Sequence, residues 1–137
     1  MQKCKSIKVL IPIGVKLSAY ECPKTQEEEE DMSHVLYASA FCSFMYAMVC
    51  TRPNIAHVVG VLRRYMSKPG KEHWTTIKRV FRYLRGTTSY GLCCQRRPGL
   101  DRVLDIHGFV DADWAGDLDR RRSTSGYVFN LFGGSIN

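Results

Sequence analysis

Asp111 and Asp113 sit two residues apart in the stretch "VLDIHGFVDAD", with Asp105 further back in the same run. Side chains of an extended strand alternate between its two faces, so these odd-numbered aspartates share one side if the strand runs undistorted. Carboxylate oxygens placed this way are hard ligands suited to a divalent cation. Magnesium takes a few such oxygens plus water, and paired ions can stabilise the attacking and leaving oxygens in phosphodiester cleavage. Two neighbouring aspartates do not complete that arrangement. Asp113, Asp117 and Asp119 also surround Gly116, where short acidic side chains commonly turn the chain, and Arg120, Arg121 and Arg122 follow to offset their charge. Asp111 differs because it interrupts an apolar strand, which makes it the first candidate for a metal-binding carboxylate.

A second group is basic. Lys78, Arg82 and Arg85 recur at helical spacing and share one face, and Arg63 with Arg64 adds charge near the end of the preceding helix. With a formal net charge of +7, the chain is biased toward acidic partners, and these five residues are candidates for phosphate contact. No interleaved aromatic platform or glycine-rich cradle accompanies them, so a solvated polar face is the competing reading.

These groups need elements to hold them. Ser33 is placed to cap a helix through "HVLYASAFCSFMYAMVC", with Tyr37, Phe41, Phe44, Met45 and Met48 on its buried side. Thr51 and Pro53 mark a second helix start, and Ile55, Val58, Val59, Leu62 and Met66 form its stripe. A third helix is expected from about Lys71 to Arg85, carrying Trp74, Ile77, Phe81 and Leu84 inward and ending at Gly86. Beyond it the texture changes to strands: a short one in "SYGLCCQ", then "VLDIHGFVDAD" and "STSGYVFNLF". The expected order is a linker or extension over residues 1–31, a helical segment over 32–86, a connector over 87–102 and strands over 103–137. The fold class is α+β.

The acidic run from Glu27 to Asp31 reads as a solvated approach to a helix. The six cysteines show no CxxC pair and no zinc spacing, so they are expected as reduced thiols, with Cys42, Cys50 and Cys93 as small buried side chains. The amino-terminal apolar stretch is broken by Lys8 and Pro12, unlike a conventional signal peptide, and no segment offers the roughly twenty apolar residues of a membrane-spanning helix.

The segments "VLYASAFCSFMYAMVCTRPNIAHVVGVLRRYMSKPGKEHW", "IKRVFRYLRGTTSYGL" and "GFVDADWAGDLDRRRSTSGYVFNLFGG" carry a resemblance to the Pol polyprotein of copia-type retrotransposons, where reverse transcriptase joins ribonuclease H. It covers most of residues 32–134. The resemblance implies a three-helix thumb or connection segment followed by the first antiparallel strands of an incomplete ribonuclease H fold. Asp111, first carboxylate of "VDADWAG", matches the first metal-binding aspartate of that nuclease, and Mg2+ is implied for the complete domain. No polymerase aspartate pair and none of the later nuclease carboxylates occur in the sequence. The expectation is therefore a non-catalytic fragment, without cofactor, making weak nucleic-acid contact or contact with the remaining polyprotein domains, inside the cell. Four positions depart from the family's usual residues. Leu36 stands for proline, Phe41 and Cys42 for valine and glycine, and Asn54 for aspartate.

A weaker likeness competes. "RYLR", formed by Arg82, Tyr83, Leu84 and Arg85, resembles the RxLR motif of secreted oomycete effectors, which implies export, entry into the host cytoplasm or nucleus, and suppression of plant immunity through a host protein. In that family an acidic segment often follows the motif. Here the acidic run precedes it and Gly86 follows.

Overall fold

The computed structural model describes residues 5–12, 16–91 and 106–131, together with the backbone of 134–136. The chain divides into a helical unit, Met1–Tyr90, and a sheet unit, Gly91–Asn137. The class is α+β.

Four α-helices form in the helical unit among the described residues: α1 (Gln26–Ser33), α2 (Tyr37–Cys50), α3 (Ala56–Arg63) and α4 (Lys71–Gly86). The sequence pattern predicts three. The extra helix, α1, occupies the acidic run, because Thr25 and Glu28 have the spacing that closes a helix start. The Thr25 hydroxyl accepts from the Glu28 amide at 3.3 Å, and the Glu28 carboxylate accepts from the Lys24 amide at 2.9 Å. Acidic side chains in the first turn also suit the positive end of the helix dipole.

Ser33 therefore closes α1, donating its hydroxyl to the Glu30 carbonyl, and does not cap the helix that follows. α2 opens four residues past it, where the Tyr37 amide donates to the Val35 carbonyl at 2.7 Å. Thr51 likewise closes α2 by donating to Ala47, and a single 3-10 turn, Pro53–Ile55, leads into α3. Only α4 begins at the expected residue, Lys71, one residue after Gly70.

Tyr37, Phe41 and Phe44 from α2, Ile55, Val58, Val59 and Leu62 around α3, and Ile77 and Val80 from α4 form the core. Each such apolar side chain contributes about 1.5–3 kcal/mol on burial. Phe44 meets Phe81 with ring centroids 4.5 Å apart in a tilted arrangement. Leu10, Ile11 and Leu17, from the segment expected as a linker or extension, pack against the same core. The Ile7 amide donates to the Arg82 carbonyl, and a Cβ added to Gly86 would lie 2.6 Å from the Ile7 carbonyl oxygen. Glycine at that position lets the two backbones approach.

Some stripe residues differ from expectation. Met45 and Met66 are exposed, as are Cys42 and Cys50, which were expected inside. α2 is apolar on nearly every side, and the aromatic rings of Tyr37, Phe41 and Phe44 set its phase. Met66 lies beyond α3, whose periodicity stops at Arg63. Cys93 and the strand expected in "SYGLCCQ" fall outside the described residues, apart from the first few positions of that stretch.

In the sheet unit, β1 (Ile106–Asp113), β2 (Thr124–Leu131) and β3 (Gly134–Ile136) run antiparallel in the order β1-β2-β3. Asp111 pairs with Gly126, Val110 with Tyr127 and Gly108 with Phe129. Paired residues share a face, so Ile106, Gly108, Val110, Tyr127, Phe129 and Leu131 occupy one side, and His107, Phe109, Asp111, Asp113, Val128 and Asn130 the other. The Phe129 ring lies over Gly108, where an added Cβ would stand 3.1 Å from it.

Candidate functional site

β1 carries Asp111 onto an exposed face, opposite a glycine. A side chain added at Gly126 would have nothing within 4 Å, so the surface across from the Asp111 carboxylate is open. Asp113 shares that face by register, but its carboxylate bends into the turn. A Cβ on Gly116 would lie 1.6 Å from Asp113 Oδ2, so the carboxylate lies against that glycine.

The rest of the turn is held by its own hydrogen bonds. Asp117 is buried, its Oδ1 accepts from the Asp119 amide at 3.1 Å, and its carbonyl accepts from the Arg121 amide at 2.8 Å. Ala115 and Arg121 adopt positive φ angles of 49° and 54°. The Ala115 amide donates to the Ser123 hydroxyl at 3.0 Å. Asp113, Asp117 and Asp119 thus serve the turn, and Asp111 stands apart from them. Asp105 lies outside the described residues. Among the described residues no three His, Cys, Asp or Glu side chains converge as a metal site.

The basic candidates divide in the same way. Lys78 is exposed, with its ammonium 5.6 Å from the centre of the Trp74 ring. Arg85, Arg63 and Arg64 are exposed too. Arg82 is half-buried, and its Nε donates to the Lys5 carbonyl at 2.8 Å. In "RYLR", the Tyr83 hydroxyl accepts from Asn54 Nδ2 at 2.6 Å and Leu84 packs on the core, so Tyr83 and Leu84, like Arg82, are engaged within the helical unit.

Two constellations escaped the sequence analysis. Arg52, in the connection after α2, reaches the far end of α4 and donates to the carbonyl and the hydroxyl of the fully buried Thr87 and to the Tyr90 carbonyl. A guanidinium there also opposes the negative end of the α4 dipole. The other centres on His73, which is fully buried. Its Nδ1 accepts from the Gly70 amide at 2.8 Å, its ring stacks on Tyr65 at 4.1 Å, and its Nε2 lies 3.8 Å from Glu21 Oε2. A Cβ at Gly70 would stand 1.8 Å from the Glu21 carbonyl oxygen, so this glycine admits the 3-10 turn Ala19–Glu21 against the start of α4. The three-residue spacing of Gly70 and His73 was the available signal, since a side chain at the third helical position can reach back to the cap.

Ion pairs tie α1 to its surroundings: Lys68 meets Glu29 at 2.5 Å and Lys71 meets Asp31 at 3.0 Å. Each carboxylate, chiefly by hydrogen bonding, raises the pKa of its lysine. The Glu28 carboxyl is held below the usual carboxylate value, first by the Lys24 amide and then by the contact with Thr25.

Across all 137 residues the chain is 49% identical to the retrovirus-related Pol polyprotein from transposon TNT 1-94 of Nicotiana tabacum, of which it spans 10%. It is 36% identical over 116 residues to the corresponding polyprotein from transposon RE1 of Arabidopsis thaliana, spanning 7% of that protein. Over 106 residues it is 49% identical to secreted RxLR effector protein 161 of Plasmopara viticola, and the match spans 72% of that relative. No family model and no solved structure matches the chain. The chain therefore spans about a tenth or less of the length of these two polyproteins.

Proposed function

The chain belongs to the copia-type retrotransposon Pol polyproteins, and we propose that it is the segment of such a polyprotein that links reverse transcriptase to ribonuclease H. In this reading α2, α3 and α4 are a thumb or connection module, and β1 to β3 open the nuclease sheet. Asp111 supplies the first carboxylate of a magnesium site whose other ligands come from elsewhere in the polyprotein. The chain alone has no nuclease or polymerase activity. Lys78, Arg85, Arg63 and Arg64 give the helical unit a weak, salt-sensitive attraction for the phosphates of a bound nucleic acid.

The observation that carries this reading is Asp111 itself, exposed on β1 across from Gly126, while Asp113 is drawn into the turn over Gly116. One open carboxylate is a single donor toward a metal, and the two-ion mechanism needs several. The effector reading is weaker, because "RYLR" lies inside the match to the tobacco polyprotein and Arg82, Tyr83 and Leu84 are engaged in the fold. We place the product inside the cell, with its polyprotein.

The test is cleavage of an RNA–DNA hybrid in magnesium, using the pure chain and the same chain fused to the downstream part of the tobacco relative. The chain alone should be inactive. The fusion should cleave, and Asp111→Asn should abolish that cleavage. Activity of the isolated chain that disappears in Asp111→Asn would overturn the non-catalytic reading, and an active fusion indifferent to Asp111 would overturn the assignment of the carboxylate.

A further inference from the structure

Among the described residues, His73 is the one fully buried side chain of a type that titrates near neutral pH. Its hydrogen bond fixes its protonation state. A backbone N–H can only donate, so the Nδ1 that receives the Gly70 amide at 2.8 Å presents a lone pair. The single ring proton of the neutral imidazole therefore sits on Nε2, on the side of Glu21 Oε2 at 3.8 Å. Stacking within 15° of parallel on the Tyr65 ring holds the imidazole in its plane. Tyr65 is fixed in turn by donating its hydroxyl to the Leu17 carbonyl at 3.1 Å.

We propose that this arrangement is a proton-operated latch at the start of α4. Neutral His73 holds Gly70, and protonated His73 releases it. The second proton must bind at Nδ1, where it meets the Gly70 N–H head on, and the buried hydrogen bond is lost. The imidazolium has an anion at hand, because the Glu21 carboxylate lies on its other side, and an opposite charge that close favours the charged ring. Protonation thus exchanges the partner of His73, from Gly70 to Glu21. The remaining titratable groups around the ring do not offer a second counter-ion. Tyr65 comes from the stretch after α3, Cys22 next to Glu21 is half-buried, and Lys71 and Glu72, the neighbours of His73 on α4, are exposed.

Gly70 transmits the change. Its carbonyl accepts the first bond of α4 from the Trp74 amide at 3.1 Å, and it lies against the Glu21 carbonyl with no room for a side chain between them. Loss of the Nδ1 bond loosens the first turn of α4 where that turn seats the 3-10 turn Ala19–Glu21, while the core around Leu62 is untouched.

The test is amide exchange of the full chain, read residue by residue by NMR between pH 8 and pH 4, with the imidazole nitrogen shifts reporting the state of His73. Protection at Gly70 and Trp74 should fall about tenfold or more in step with His73 protonation, while Leu62 keeps its protection. His73→Gln puts at the third helical position a side chain that can accept from the same amide without titrating, so it should retain protection at pH 8 and lose the pH dependence. Glu21→Gln should move the His73 midpoint to lower pH. A His73 that stays neutral down to pH 4, or one that titrates while Gly70 stays protected, would overturn the proposal. Equal loss of protection at Leu62 and Gly70 would also overturn it, since that is general acid unfolding.

Discussion

Tyr37 offers a perturbation whose sign reverses with pH. Its ring is buried at the start of α2, and its hydroxyl donates to the Leu62 carbonyl at 3.1 Å. Burial pushes the phenol up to about 12, with a smaller contribution from Cys22 nearby. Tyr37→Phe removes the hydrogen bond and creates no cavity. The Leu62 carbonyl keeps the Tyr65 amide at 3.2 Å, so no acceptor is stranded, and the cost at neutral pH is about 1 kcal/mol.

At high pH the balance shifts. The unfolded phenol ionises near pH 10 and the folded one about two units later, so between those values the unfolded state has lost a proton that the folded state retains. Stability then falls as pH rises, by about 1 kcal/mol at pH 11 and about 2 kcal/mol at pH 12 from this residue. The phenylalanine variant lacks that loss. All other groups titrate alike in the two proteins, so urea denaturation from pH 7 to 12 should give stability curves that cross near pH 11. Parallel curves, with the variant less stable throughout, would refute the argument that the buried phenol must stay neutral.

Three further outcomes follow from contacts elsewhere in the helical unit. Arg52→Met removes the donors to Thr87 and Tyr90 and should cost about 2–3 kcal/mol in urea unfolding, with little recovered by Arg52→Lys, which lacks the planar fork. Gly86→Ala improves helix propensity by up to about 1 kcal/mol but drives a methyl group to within 2.6 Å of the Ile7 carbonyl oxygen. Amide exchange at Ile7 should therefore accelerate while α4 stays protected, and unchanged exchange would show that the two backbones do not meet. The Glu28 carboxyl has a lowered folded pKa, so its stabilisation of α1 is present above the unfolded value near 4.3 and is lost as pH falls through the folded one. Glu28→Gln should abolish that part of the acid-induced loss of α1 amide protection.

What the sequence could show depended on how local the determinant was. The start of α4 and the pairing strands of β1 and β2 follow from short-range pattern: Gly70 before an amphipathic helix, and alternating apolar positions joined through a glycine turn. α1 was also written locally, in the Thr25 to Glu28 spacing, and was missed because the acidic run was read for its charge. α2 was phased by the spacing of Tyr37, Phe41, Phe44 and Met48, but apolar residues occupy most of its positions, and only tertiary contact tells these from Cys42 and Met45, which are exposed. Arg52 and His73 depend on partners 35 or more residues away, at Thr87 and Glu21, and no periodicity encodes such distances. Asp111 was singled out because it interrupts an apolar strand, and it lies in β1 opposite Gly126. Asp113 lies with its carboxylate against Gly116, three residues on.

The two units differ in what they can bury for themselves, and this bears on where chemistry can arise. In the helical unit Phe44, Leu62 and Ile77 are almost or fully enclosed, so that unit has a core of its own. In the sheet unit Phe109, Val110, Tyr127, Val128 and Phe129 are between 43% and 79% exposed, spread over both faces. A small antiparallel sheet gains independent stability only when one face is covered. The apolar face around Phe129 asks for packing, and the face that bears Asp111 asks for further carboxylates if it is to hold metal. The two demands lie on opposite faces of the sheet, and in the proposed reading the polypeptide that brings the further carboxylates packs on the face that bears Asp111. Hydrogen exchange on the fusion that supplies such polypeptide should therefore show new protection in β1 under the same conditions that make hybrid cleavage depend on Asp111. Cleavage without protection of β1 would separate the two and refute the link.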